Sequence, residues 1–118
     1  MLPKKYRLTN EVDFKKVYER RNSVFLPALS LRYLKKGKKE DSRFGFVISS
    51  KIYKNSVDRN LLKRRMRAII KKQLEDILPG YDFIISARPG VKNKKFTEIE
   101  KEIERLFRKS RLYAEKKD

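Results

Sequence analysis

The stretch from Asp58 to Ile77 constrains this chain more than any other, because its two sides demand opposite environments. At about 100° per residue, Leu62, Met66, Ile69, Ile70, Leu74 and Ile77 fall in one helical wedge. Asn60, Arg64, Arg67 and Lys71 gather on the opposite side, flanked by Lys63 on one hand and by Arg65 and Lys72 on the other. Ser56 is the candidate cap, and Asp58 is the only acid in the segment before Glu75. The wedge must be buried, so the rest of the chain has to supply a surface to cover it. The cationic side has no internal counterion. Like charges at i,i+4 destabilise a helix by a few tenths of a kcal/mol per pair. An ordinary solvated face is mixed in sign, so this one reads as a ridge for phosphates.

The remaining pattern supplies the cover. Asn10 can cap a helix to about Arg20, with Glu11 and Asp13 in its first turn and Phe14, Val17 and Tyr18 in one narrow stripe. Alternation marks strands over Ala28–Leu34, Phe44–Ser50 and Tyr81–Arg88. A last helix from about Thr97 to Tyr113 places Ile99, Ile103, Leu106 and Phe107 on one face. There, opposite charges alternate, as in Glu104 four residues before Arg108. The order is α-β-β-α-β-α, with room for a further short strand near 22–26: an α+β pattern. One sheet face (Leu29, Leu31, Tyr33, Phe44, Phe46, Ile48, Phe83, Ile85) is apolar and needs both later helices. The other carries Ser30, Arg32, Ser49, Ser86 and Arg88, and a single short helix covers only part of it. What stays open is a shallow basic groove.

Composition narrows the chemistry. The chain has 118 residues with 33 Lys plus Arg against 15 Asp plus Glu, a net charge of +18. That length suits one domain over 1–118, with 1–7 and 114–118 as flexible ends. Half of the excess lies in residues 43–72, where ten basic groups face one acid. Cys and His are both absent, which removes disulfides, thiolate and imidazole metal sites, Cys nucleophiles and a His general base. No apolar run reaches the ~18–20 residues of a membrane span, and no signal-like apolar stretch follows Met1. A cytoplasmic protein with a polyanionic partner, no membrane and no obligate protein partner is the expectation.

Individual residues carry competing readings. Phe14 and Tyr18 either pack as core or serve as stacking platforms. Asp82, at a strand start, reads as a turn or cap residue before it reads as a catalytic acid. The acids of the last helix are surface charges, since alternate spacing does not converge carboxylates on a metal. Lys35–Lys39 reads as a solvated loop, and Leu78-Pro79-Gly80 as a turn.

The run Arg59-Asn60-Leu61-Leu62-Lys63-Arg64-Arg65-Met66-Arg67 resembles the signature of the bacterial ribonuclease P protein subunit family, Arg-Asn-Arg-x-Lys-Arg with a further Arg three residues on. Leu8 with Asp13-Phe14, Arg43 to Lys51, and Asp82 to Pro89 resemble its flanking segments in order and spacing, so the likeness spans about residues 6–113. Three departures stand out. Leu61 replaces an Arg, Ser50 replaces the first Lys of a Ser-Lys-Lys motif, and Tyr53-Lys54-Asn55-Ser56-Val57 is one residue longer than the family's turn and lacks its Gly.

The resemblance implies a two-layer α/β sandwich, a fold shared with a small-subunit ribosomal protein domain, including a left-handed βαβ crossover between Phe44–Ser50 and Tyr81–Ala87. It also implies a role as subunit of an endoribonuclease that removes the 5′ leader of precursor tRNA. The catalytic site and its Mg²⁺ would belong to the RNA partner; the protein itself would bind no cofactor or metal. Catalytic RNA would dock on Arg59, Asn60, Lys63, Arg64, Arg67 and Lys71. The leader would lie in the groove of Phe14, Tyr18, Arg32, Ser49 and Lys51. The rivals are a ribosomal or ribosome-assembly RNA-binding protein and a protein-only nuclease, the latter lacking clustered acids. Leu61 is expected under cover of the longer 53–57 connection, beside Tyr53.

Overall fold

The computed structural model describes residues 2–20, 22–37 and 40–113. Helix α1 spans Glu11–Tyr18, and strands β1 (Ser23–Phe25), β2 (Leu29–Lys35) and β3 (Arg43–Val47) follow. Helix α2 (Ser56–Gln73), strand β4 (Tyr81–Ala87) and helix α3 (Phe96–Lys109) complete the order. The sheet runs β1-β2-β4-β3, with β1–β2 and β2–β4 antiparallel and β3–β4 parallel. The expected α+β sandwich is therefore present, and the further strand near 22–26 exists as β1. The parallel pair is joined through α2, as a βαβ unit requires.

Each boundary has a local cause. Asn10 caps α1, its side-chain oxygen accepting from the Val12 N–H at 2.8 Å, and the helix stops at Tyr18, short of Arg20. Helix α2 starts two residues before Asp58, with Asn55 rather than Ser56 at the cap position. It ends at Gln73, where the chain tightens into a 3-10 turn over Leu74–Asp76, so Ile77 reaches the core from outside the helix. Strand β3 ends at Val47, because Ser49 turns the chain: its carbonyl accepts from the Ile52 and Tyr53 N–H groups. In α3 the Glu98 carboxylate accepts from the Lys95 N–H at 3.1 Å, and Arg108 reaches back to Glu104 at 2.6 Å. Gly80 takes φ 86°, the left-handed value that the Leu78–Gly80 turn needs. Lys38 and Lys39 of the expected loop, and the tail 114–118, lie outside the described residues.

The main core lies under α2 and α3. Leu62, Met66, Ile69 and Ile70 of α2 meet Ile99, Ile103, Leu106 and Phe107 of α3 over Leu29, Leu31, Phe44, Phe83 and Ile85. Phe83 stacks on Phe44 at 5.1 Å and meets Phe107 edge-on at 5.0 Å. The N-terminal segment is part of this core and not a loose end at 2–7. Leu2 is fully buried, Lys4–Tyr6 form a 3-10 turn, and Leu8 N–H bonds the Phe44 carbonyl at 2.9 Å. A second, small cluster of Leu8, Val17 and Ile84 sits on the opposite sheet face, under α1.

Two devices hold α1 there. Gly45 is the first: a Cβ at this position would stand 2.4 Å from the Phe14 ring, so the helix rests on bare backbone. Asp82 is the second. It is neither a turn nor a cap residue, but a carboxylate only 2 % exposed, bonded by Arg43 through Nε at 3.0 Å and Nη2 at 2.8 Å and by Lys36 at 3.0 Å. Arg43 also reaches Asp13 of α1 at 3.2 Å. These bonds, Asp82's foremost, push the Arg43 guanidinium pKa further up.

Removing the Asp82 charge leaves two cations facing a neutral group. Asp82→Asn should cost roughly 2–4 kcal/mol, somewhat below a fully buried pair because water reaches Lys36 and Arg43. Urea unfolding measures it. Gly45→Ala should cost about 1–3 kcal/mol by driving Phe14 off the sheet, with α1 losing amide protection before the main core does.

Candidate nucleic-acid interface

The groove follows from strand register. Val47, Ser86, Ser30 and Phe25 are cross-strand partners in turn, so they form one row on the α1 face of the sheet. The adjacent row, Gly45, Ile84, Arg32 and Ser23, lies under α1. A floor of small side chains therefore runs beside the helix. Arg88 follows β4 past its end, and Ser49 and Lys51 lie exposed in the turn after β3, where the Ser49 hydroxyl accepts the Lys51 N–H at 3.1 Å.

The two readings of the α1 aromatics divide between the residues. Phe14 is packing, spent on Gly45. Tyr18 is 43 % exposed and faces the groove, with the Arg32 guanidinium 5.4 Å from its ring centre. The same guanidinium lies 6.0 Å from the ring of Phe25, which is 54 % exposed and carries Arg88 at 5.5 Å on its own face. Arg88 is held in place by the Leu26 carbonyl at 2.9 Å. Tyr18, Arg32, Phe25 and Arg88 thus form a cation–aromatic cluster with open ring surface. Phe25 escapes sequence reasoning because a three-residue strand gives little alternation. Its one signal is an apolar residue directly before the Leu26-Pro27 turn.

A second concavity lies at the other end of α1, over Asp82, lined by Lys5, Lys16, Lys36 and Arg43 but also by Asp13, Glu40, Asp41 and Asp82. Its charges balance, so it lacks the field a polyanion needs. Among the described residues, no three or more acids converge to hold a metal ion.

Helix α2 presents the second basic surface. Asn60, Arg64, Arg65, Lys71 and Lys72 are exposed, while Arg59, Lys63 and Arg67 are half-buried. Among the described residues only Lys72 of this group has a carboxylate in ion-pair reach, Glu100 of α3 at 3.3 Å. Arg59 is partly withdrawn, its Nη1 donating to the Tyr53 and Lys54 carbonyls at 2.7 and 2.8 Å. It thereby secures the longer connection. Tyr53 packs against the main core, and Leu61 stands 41 % exposed with Val57 exposed beside it. Leu61 is thus exposed, contrary to the expectation that the connection covers it; Arg59 and the core hold the connection instead.

Comparison with known proteins identifies the family and the fold. A family model described as Ribonuclease P matches residues 2–111. The ribonuclease P protein component of Bacillus velezensis is 38 % identical, over 95 % of this chain and 95 % of its own. That of Lactobacillus helveticus is 34 % identical, over 85 % of this chain and 82 % of its own. The solved RNase P protein of Staphylococcus aureus superposes with a TM-score of 0.82 at 27 % identity, covering 92 % of this chain and 98 % of that one.

An exposed Leu61 has a measurable consequence. Leu61→Arg should leave stability within about 0.5 kcal/mol of wild type in a thermal melt. If RNA lies on α2, it should steepen the log–log salt dependence of RNA binding by about one unit.

Proposed function

The chain belongs to the bacterial ribonuclease P protein family, and on that premise we propose which of its surfaces meets which RNA. As that enzyme's protein subunit it assists removal of the 5′ leader from precursor tRNA, with the catalytic RNA subunit and precursor tRNA as partners. Bond chemistry belongs to the RNA and its Mg²⁺. The match over residues 2–111 takes the ground from the ribosomal alternative. No described helix is long and apolar enough to cross a membrane. We place the protein in the cytoplasm, where a chain without Cys and with a tRNA precursor as substrate would act.

The leader lies in the groove beside α1. The observation that carries this assignment is the Tyr18–Arg32–Phe25–Arg88 cluster. A single strand offers unstacked bases and a phosphate at every nucleotide, and the cluster offers exposed ring faces with cations beside them. The floor of Ser30, Ser86 and Val47 carries small side chains that leave room beside α1 for a strand. Ser49 and Lys51 extend the track. Phe14 contributes by holding α1 in place, not by stacking.

The catalytic RNA docks on α2. Asn60, Arg64 and Lys71 face it directly, Lys63 and Arg67 lie half-buried at the flank, and Arg59 shapes the approach through the 53–55 backbone. The two surfaces lie on opposite faces of the sheet, so one protein neutralises two RNAs at once and lets them approach.

Cleavage of precursor tRNA by the RNA subunit at low Mg²⁺, with and without protein, tests the role directly. Protein should restore cleavage, and protein alone should cleave at no Mg²⁺ concentration. Tyr18→Ala and Phe25→Ala should each weaken binding of leader-bearing precursor by ~1–3 kcal/mol while leaving leaderless tRNA unaffected. Equal losses on both substrates would place the leader elsewhere.

A further inference from the structure

The two walls of the groove are each seated on a glycine. On one side α1 rests on Gly45 through the Phe14 ring. The other wall is β1 with its turn into β2, and that turn rests on Gly90. A Cβ on Gly90 would stand 2.4 Å from the Pro27 carbonyl oxygen and 2.8 Å from its carbon, a backbone approach that a side chain forbids. Gly90 lies in a 3-10 turn over Pro89–Val91, directly after β4, so the contact ties the β1–β2 turn to the end of β4. Arg88 adds two bonds across the same seam. Its backbone N–H donates to the Ala28 carbonyl at 2.8 Å, and its Nη1 donates to the Leu26 carbonyl at 2.9 Å. Leu26 also donates its N–H to the Leu29 carbonyl at 2.9 Å, so the residue after Phe25 is held from two sides. Leu26, Ala28 and Val91 are buried and serve the core, but Pro27 and Gly90 are both exposed, and the core does not require their close approach. What that approach fixes is Phe25, at the end of a three-residue edge strand whose one sheet neighbour is β2. The Phe25 ring stands 5.5 Å from the Arg88 guanidinium and 6.0 Å from that of Arg32, which lies 5.4 Å from the Tyr18 ring on the α1 side.

We propose that Gly90 is a positioning residue for the leader: bare backbone there lets the β1–β2 turn close onto the end of β4, and this sets where the Phe25 ring stands across the groove from Tyr18. The inference rests on the assignment of the groove to the leader, and adds to it a residue that acts through Phe25. An added methyl group needs about 1 Å more room to reach ordinary contact, and a gap of that size forfeits about a quarter to a half of the dispersion attraction between facing atoms. A ring moved that far stacks poorly on a base whose backbone is tracked by cations elsewhere in the groove. Arg88 is the second hold on the same turn.

Holoenzyme assembled from the full chain and a transcribed ribonuclease P RNA, titrated with leader-bearing precursor and with leaderless tRNA, decides the matter. Gly90→Ala should weaken binding of the leader-bearing precursor by about 3- to 10-fold, a part of what one stacked base contributes, and leave leaderless tRNA at wild-type affinity. The log–log salt slope should not change, because no charge is altered. Adding Gly90→Ala to Phe25→Ala should cost nothing further, since the ring through which Gly90 acts is gone. Wild-type affinity for the leader-bearing precursor, an equal loss on both substrates, or a full additive loss beside Phe25→Ala would overturn the proposal. Phe25→Ala alone separates this from the wider reading. If it weakens only the leader-bearing precursor and Gly90→Ala does not, the positioning role fails and the groove stands. If Phe25→Ala does not distinguish the two substrates, the groove is not the leader's and the proposal falls with it. Should Gly90→Ala fail to fold, Arg88→Lys decides, because it keeps the charge and gives up the guanidinium bond to the Leu26 carbonyl. The same leader-only loss should then appear, and should vanish beside Phe25→Ala; wild-type affinity contradicts the proposal.

Discussion

The carboxylate of Asp82 is the point on which the α1 side of the structure turns. It is buried at the start of β4, beside its register partner Arg43 on β3, and it also takes Lys36 from the end of β2. Through Arg43 it reaches Asp13, and so α1. Helix α1 has eight residues, too few to persist alone in water, and its own apolar anchor is little more than Val17 on Ile84 and Leu8. A charge network at one end and the Phe14–Gly45 contact in the middle fix where it lies. Its position in turn decides which row of the sheet is covered and which is left as a groove. A buried ion pair is a poor source of net stability, but it penalises every other placement of its partners. Here that selectivity falls on the element that shapes the groove.

Helix α2 solves a different problem. Its apolar wedge completes the main core, so the opposite side is presented rigidly and cannot relax away from its own repulsion. A core-anchored helix tolerates several uncompensated cations because each like pair costs only tenths of a kcal/mol, whereas burial of Leu62, Met66, Ile69 and Ile70 contributes several kcal/mol. The protein is thus a scaffold that holds two sets of cations at a fixed separation. It has no His, no Cys and no acid cluster among the described residues with which to break a bond.

What could be read from the sequence was whatever repeats at a period. The α2 wedge and ridge, the α3 face and the inward sides of β2, β3 and β4 all announce themselves by spacing, and the Arg59–Arg67 run by its residues. What was not legible depends on contacts distant in sequence. Asp82 looks like a turn residue until Arg43 and Lys36 are brought to it. Phe25 belongs to a strand too short to alternate, and Arg59 looks like a free cation until two carbonyls of the preceding connection claim it. The N-terminal residues look like a charged lead-in, because nothing in Met1-Leu2-Pro3-Lys4 shows that Leu2 will be buried. Leu61 was misread for a related reason: helical angle gives the direction of a side chain, but not whether another segment arrives to cover it.

The central claim is that one protein holds two RNAs on two faces, leader on the α1 side and catalytic RNA on α2. Site-specific photo-crosslinking in the assembled holoenzyme tests it most directly, with the reactive group placed at position 25 in the groove or at position 68, where Ala68 is exposed on α2. With leader-bearing precursor present, position 25 should crosslink to leader nucleotides and position 68 to the catalytic RNA. Both positions crosslinking to the same RNA, or the two assignments reversed, would contradict the account.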